Sequence, residues 1–220
     1  MPQQALVIGL GQFGLALTRS LSEKGVETLA VDKRPEMVEQ AANIATEVLV
    51  ADVTDESQLA RLAPAKRDVA ICAIGDESEE ASIICTALLC QMGAPHVIAR
   101  ATDALHRRIL RLVGAHEVVH PEEEFGQRLA NRIAYRQIIS EMPLGDNMYI
   151  SEIRLPDSYV GKSLAELGLP RRYGVTVVAI RRGKPSQVLR PVPDASLQAG
   201  DDLIIVSERA NTLEMLKGLK

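Results

Sequence analysis

Apolar positions along this chain follow two rhythms. Short unbroken apolar runs at 5–9, 26–31, 48–51, 69–74, 97–99 and 118–119 have the pattern of strands buried on both faces of a parallel sheet. Between them, segments 13–21, 37–44, 59–62, 81–92 and 105–113 place apolar residues at helical spacing. Gly25, Gly93 and Gly114 stand just past the last apolar position of a helix, and Pro35 stands at a first helical position. Parallel strands need crossover connections, so six such units predict a doubly wound α/β sheet. The acidic Glu122-Glu123-Glu124 then suits the positive end of a helix. Phe125, Leu129, Ile133 and Ile138 predict a helix over 125–139 that leaves the sheet, with Pro143 and Gly145 marking a boundary. From 148 the rhythm changes. Strands are expected at 148–155, 175–181, 188–192 and 202–206, and helices at 163–167 and 211–219, with turns at Gly183-Lys184-Pro185 and Gly200-Asp201. The expected organisation is a Rossmann-like domain over 1–121, a crossover helix and linker over 122–141, and a small α+β lobe over 142–220.

One motif carries chemistry. Gly9-Leu10-Gly11-Gln12-Phe13-Gly14 follows the first strand and opens the first helix, and Asp32 ends the second strand 18 residues after Gly14. Gly9 permits the tight turn, Gly11 lets backbone approach a pyrophosphate, and Gly14 allows close helix–strand packing. The helix N-terminus offers N–H groups to phosphates, and Asp32 offers acceptors to ribose hydroxyls. Lys33 and Arg34 could reach a 2′-phosphate, but the carboxylate of Asp32 opposes one, which favours NAD-type or adenine mononucleotide ligands over NADP. Two further strand ends, Asp52-Val53-Thr54 and Ala73-Ile74-Gly75-Asp76, point at the same crevice, because ligands of open α/β sheets bind outside the carboxyl ends of the strands.

Composition narrows the function. The 220 residues are 46% hydrophobic and 25% charged, the balance of a globular chain. A net charge of −4 and an aromatic content of 3% without Trp argue against a nucleic-acid binder, which needs basic surface and stacking platforms. The densest basic stretch, His106-Arg107-Arg108 with Arg111, alternates with leucines and reads as a solvated helix face. Cys72, Cys85 and Cys90 read as reduced core thiols of a cytosolic protein, with no metal-ligand spacing. No apolar run is long enough to span a bilayer and no signal peptide is evident, so a soluble protein is expected. Hydride transfer needs a positioned acid or base, and the C-terminal module has neither His nor Cys. Its Lys162 and Lys184 lie in exposed, turn-like contexts, and Ser78 and Ser82 have no nucleophile elbow around them. A nucleotide sensor fits better than an enzyme.

The ordered set GLGQFG (9–14), VD (31–32), Ala51-Asp52 with Thr54, AIG (73–75), Gly114-Ala115 and His120-Pro121-Glu122 resembles the RCK (KTN) domain of bacterial potassium-transport regulators. The segment from Gly161-Lys162-Ser163-Leu164 through Tyr173-Gly174-Val175 to Gly200-Asp201-Asp202-Leu203 is similar to the RCK-C lobe. The whole chain is thus identified as similar to the regulatory subunits of Trk/Ktr-type systems. The resemblance implies a cytoplasmic homodimer assembling into an octameric ring beneath a membrane-embedded potassium transporter subunit of the TrkH/KtrB type. It implies a crevice for ATP/ADP or NAD/NADH, with Mg2+ or another cation accompanying the nucleotide. Carried over, Gly9, Gly11, Gln12, Phe13 and Gly14 cradle phosphates and Asp32, with Lys33 beside it, holds ribose. Asp52, Val53 and Thr54 flank adenine, Ala73, Ile74 and Gly75 line the crevice, and Arg100 lies near the phosphates. Glu122 would bring a carboxylate to the nucleotide or to a bound cation. Two departures matter. Gln12 replaces the Arg of many ATP-responsive relatives, and Pro170 and Thr176 replace an Arg and an Asn that serve cyclic di-AMP elsewhere, which argues against that ligand. The competing readings are a small NAD-dependent oxidoreductase and a nucleotide-binding regulator of a different cation channel or exchanger.

Overall fold

The computed structural model describes residues 3–75, 78–145, 147–183 and 187–217. The chain forms two compact units, Met1–Pro121 and Glu122–Lys220. Within the first, β1 (Gln4–Ile8), α1 (Gln12–Glu23), β2 (Glu27–Asp32), α2 (Pro35–Ala41), β3 (Glu47–Val50), α3 (Glu56–Arg61), β4 (Val69–Cys72), α4 (Glu79–Gln91), β5 (Val97–Arg100), α5 (Ala104–Leu112) and β6 (Glu117–Val119) alternate strictly. The six strands pair in parallel in the order β3-β2-β1-β4-β5-β6. The order reverses between β1 and β4, which is where a doubly wound sheet opens a crevice at its carboxyl edge.

The apolar runs of β1, β2, β4 and β5 become strands because both sheet faces are covered, whereas the runs at 48–51 and 118–119, expected to be buried on both faces, form the edge strands β3 and β6, none of whose residues is buried. Leu6, Ile8, Leu29 and Val31 face one cluster with Leu59, Leu89 and Leu110, while Ala5, Val7, Ile71 and Ala73 face another. Gly25, Gly93 and Gly114 follow α1, α4 and α5 with positive φ, the conformation that ends a helix without a Cβ clash. Pro35 opens α2. The basic stretch on α5 is less solvated than its letters suggest. His106 is fully buried on the face that carries Leu110, while Arg108 and Arg111 are exposed. Its Nδ1 lies 3.0 Å from the Thr102 hydroxyl, and that hydroxyl bonds Glu79. Of the three thiols, Cys72 and Cys85 are buried and Cys90 is half-buried.

The second unit departs from expectation at its start. The helix α6 (Pro121–Ala134) stops five residues before 139, and β7 (Ile138–Gly145) follows. Ile138 is therefore a strand residue, in the core with Ile153 and Leu155. Pro143 is tolerated because β7 is an edge strand, at the end of the order β10-β9-β11-β8-β7. There β7 pairs antiparallel with β8 (Met148–Arg154), with a register irregularity between Pro143 and Gly145. The remaining elements are α7 (Leu164–Leu167), α8 (Leu169–Tyr173), β9 (Thr176–Arg182), β10 (Gln187–Leu189), β11 (Asp202–Glu208) and α9 (Arg209–Lys217). A Ser163–Glu166 capping box starts α7. α8 was not expected; Pro170 occupies its first turn, where no N–H is needed. Lys184 and Pro185 of the expected turn after Gly183, and the end of the last helix at Leu219, lie outside the described residues. Asp201 is fully buried and takes a bidentate pair from Arg182 at 2.6 and 2.7 Å. Burial alone would push its carboxyl up, but Arg182 and the Gln198 N–H more than offset this, so it titrates below the usual range.

Candidate functional site

The glycine loop is built as its spacing requires. Gly9 leaves β1 with φ +91°, and its N–H donates to Val31 O at 2.8 Å. A Cβ on Gly9 would come within 2.9 Å of Ile74 N, so the loop and the end of β4 touch as bare backbone. A Cβ on Gly14 would overlap the Gly9 carbonyl oxygen. Only glycine lets α1 start this close to β1. Around Gly11, by contrast, an added Cβ meets nothing within 4 Å. Gly11 caps α1 with no side-chain acceptor, whereas α3, α4 and α5 are each closed by the side chain of Asp55, Ser78 or Asp103. The first-turn N–H groups of a helix have no acceptor within it, so the Gly11–Phe13 backbone presents donors and helix-dipole charge to open space. This arrangement fits an anion.

Asp32 lies at the end of β2 with 7% exposure. Its Oδ2 accepts the Leu10 N–H at 2.7 Å, and its Oδ1 accepts the Arg34 N–H at 2.9 Å and faces Arg34 Nε at 3.4 Å. Each carboxylate oxygen can accept more than one bond, so Asp32 can hold the loop in shape and still receive ribose hydroxyls. Leu10 and Arg34 were not legible as participants. One acts through its main chain, and the other was weighed only as a possible reach to a 2′-phosphate, which Asp32 opposes, and not as a partner of the acid.

The remaining candidates separate. Gln12 is exposed at the first helical position of α1, and Lys33 is exposed beyond β2. Phe13 is half-buried against the Ala5–Val7 cluster. Ala73, Ile74 and Gly75 follow β4 at the switch point, with the Ala73 N–H donating to Ile8 O at 2.7 Å. Asp76 lies outside the described residues. Arg100 reaches from the end of β5 to within 5.8 Å of the Phe13 ring centre. Asp52, Val53 and Thr54 sit beyond β3, but Val53 packs its side chain into the core. Asp52 spends its Oδ1 on the Thr54 hydroxyl at 2.7 Å and the Thr54 N–H at 3.0 Å. Those two bonds hold its carboxyl below its ordinary value. Its first role is to shape its own loop. Glu122 belongs to the second unit, in the first turn of α6. Among the described residues no three His, Cys, Asp or Glu side chains converge as a metal site, and no helix is long and apolar enough to cross a membrane.

Comparisons with known proteins show the family of the chain. The TrkA-N domain family matches residues 5–121 and the TrkA-C domain family residues 150–219. Ktr system potassium uptake protein C of Bacillus subtilis is 34% identical over 206 residues, spanning 94% of this chain and 92% of that protein. Ktr system potassium uptake protein A of Vibrio alginolyticus is 32% identical over 217 residues, spanning 99% and 98%. Among solved structures, the GsuK channel bound to NAD has the same fold, with a TM-score of 0.64 at 18% identity over the whole of this chain and 39% of that one.

Proposed function

The chain belongs to the TrkA family, with a TrkA-N domain followed by a TrkA-C domain, and from that membership we propose that it is a nucleotide-sensing regulatory subunit of a membrane potassium uptake system. The observation that carries the sensing half of this reading is the uncapped start of α1 beside a buried ribose-type acid. The glycine loop offers donors to phosphates while Asp32 keeps acceptor capacity for ribose. The uptake half rests on the Ktr relatives, which align over nearly their full length.

In this reading the site residues are Gly9, Gly11, Gln12, Phe13 and Gly14 at the phosphates and Asp32 and Lys33 at the ribose. Asp52 and Thr54 shape the adenine side, with Val53 contributing backbone. Ala73, Ile74, Gly75 and Arg100 line the far side, and the family resemblance is what assigns Glu122, a residue of the second unit, to a cation accompanying the nucleotide. The protein is a regulator rather than an enzyme, works in the cytoplasm and meets the membrane through its transporter partner. It is homo-oligomeric, because α6 is amphipathic yet buries none of its side chains within the chain, and Phe125 and Ile133 are 61% and 70% exposed. A second copy would cover that face. Control of ion flux then follows from population shift: a nucleotide changes flux only as far as it binds two assembly shapes with different affinity.

Calorimetric titration of the full chain with ATP, ADP, NAD+, NADH and cyclic di-AMP, with and without Mg2+, tests the sensing half. Binding of an adenine nucleotide by the wild type with loss in the Asp32→Asn variant is expected, and no binding by any of the five refutes it. Restoration of potassium uptake in cells lacking their own regulator tests the transport half.

A further inference from the structure

Gly75 is glycine for a reason its backbone does not supply. Its φ lies outside the left-handed range that calls for glycine. A Cβ built there would nevertheless overlap Nη1 of Arg100 and lie 2.9 Å from its Cζ. The space left by the absent side chain is therefore the seat of the Arg100 guanidinium. From that seat the guanidinium lies 5.8 Å from the centre of the Phe13 ring, in the first turn of α1. Three elements meet at this point: the end of β5 supplies the cation, the residue after β4 supplies the gap, and α1 supplies its open N-terminus.

Strand order gives the arrangement a direction. Asp32 ends β2, the glycine loop leaves β1, and Gly75 follows β4, and these strands are neighbours in the order β2-β1-β4. Neighbouring strands are about 4.8 Å apart. A nucleotide whose ribose is held at Asp32 must therefore extend its phosphates across the loop, by roughly two strand spacings, to reach the guanidinium. A first phosphate would then lie over the loop, and only the outer phosphates of a longer chain would arrive at Arg100.

We propose that Gly75 is a positioning residue whose missing side chain seats the Arg100 guanidinium at the mouth of the glycine loop and so sets the preference among adenine nucleotides by the length of their phosphate chain. This assignment rests on the nucleotide-sensing reading above. It gives this chain a cation for outer phosphates although its loop carries Gln12, and guanidinium–phosphate bonds are about twice as strong as neutral ones.

The test uses Gly75→Ala, because the atoms its Cβ would meet are the far end of a flexible side chain, and the fold is expected to survive. Unfolding of the ligand-free variant in urea, coincident with wild type, checks that. In calorimetric titrations of the full chain, Gly75→Ala is expected to weaken ATP by roughly 10- to 100-fold while AMP stays within about twofold. Arg100→Gln should give the same pattern, Arg100→Lys should restore part of the ATP preference, and Gly75→Ala should cost nothing more in the Arg100→Gln background. Equal losses for ATP and AMP would make Gly75 a steric wall and overturn the assignment, as would additive losses in the double variant. ATP binding by wild type with no change in Gly75→Ala would overturn this assignment alone, whereas no nucleotide binding by wild type would overturn it together with the sensing function.

Discussion

Replacing Asp32 by alanine should destabilise the first unit before any ligand is added. The Leu10 N–H, buried with its residue, loses the Oδ2 acceptor at 2.7 Å, and an orphaned buried donor costs about 1–3 kcal/mol. Arg34 loses both its N–H bond to Oδ1 at 2.9 Å and its weaker side-chain pair at 3.4 Å, with its side chain 31% exposed, and together these add up to about 1 kcal/mol. The sum, roughly 1–4 kcal/mol, is a large share of the 5–15 kcal/mol that holds a typical domain together. With a urea slope of about 1–3 kcal/mol per molar, the unfolding midpoint of this unit should fall by about 1 M. Asp32→Asn separates structure from binding. Its amide oxygen can still accept the Leu10 N–H, but its NH2 faces the Arg34 N–H, donor against donor. We expect a smaller fall in midpoint for Asn than for Ala, with a loss of nucleotide binding in both. The assay is urea denaturation of ligand-free wild type, Asp32→Ala and Asp32→Asn, followed by calorimetry. If the Asp32→Ala midpoint coincides with wild type, the carboxylate does not hold the loop, and the account of how β2 shapes the glycine turn is wrong.

Gly14→Ala should be worse than an ordinary overpacking substitution, because its Cβ overlaps the Gly9 carbonyl oxygen rather than a movable side chain. A loss of about 3 kcal/mol or more is expected, read as a lower urea midpoint, with wild-type stability as the refuting result. Acid should weaken the second unit through Asp201. Its folded pKa is lowered, so its stabilisation is complete above the unfolded value of about 3.9 and is lost as pH falls through the lower folded value. Asp202, pushed up by burial and by Glu152, works in the opposite direction. Asp201→Asn should therefore flatten the acid limb of a stability–pH profile, and an unchanged limb would refute the assignment. Finally, Phe125→Asp with Ile133→Asp should reduce the molar mass measured by light scattering while leaving the monomer folded; an unchanged mass would place the subunit contact elsewhere.

The sequence made the alternating unit legible because each part of it has a local cause. Apolar runs need two covered faces, glycines end helices, and GxGxxG followed by Asp32 is a nearly complete description of the loop it builds. The failures have equally local causes. Ile138 continues the spacing of Phe125, Leu129 and Ile133, so periodicity alone extends α6 by a turn. The chain leaves the helix after Ala134 because the next apolar residues are needed in an antiparallel edge. His106 looked solvated because its sequence neighbours are arginines, although α5 turns it inward with Leu110. Asp52 could be matched to an adenine-side position but not seen to be engaged by Thr54. Gly75 looked like crevice lining, and nothing one-dimensional places Arg100 in its gap.

The size of the proposed phosphate discrimination bears on assembly. Moving a two-state equilibrium from 1:99 to 99:1 requires a ligand to prefer one state by about 10⁴-fold. A single guanidinium contact supplies roughly 10- to 100-fold of that preference even if it is made in one state and wholly lost in the other. One subunit exchanging one nucleotide for another therefore shifts its own equilibrium by only part of the way. Two to four sites switching together close the gap, since the factors multiply when the states are shared. A helix that leaves Phe125 and Ile133 outside the chain's own core is the element able to impose such sharing. On this account a variant that cannot pair should keep nucleotide affinity and lose steepness of response. Sensing and assembly would then be two halves of one thermodynamic requirement.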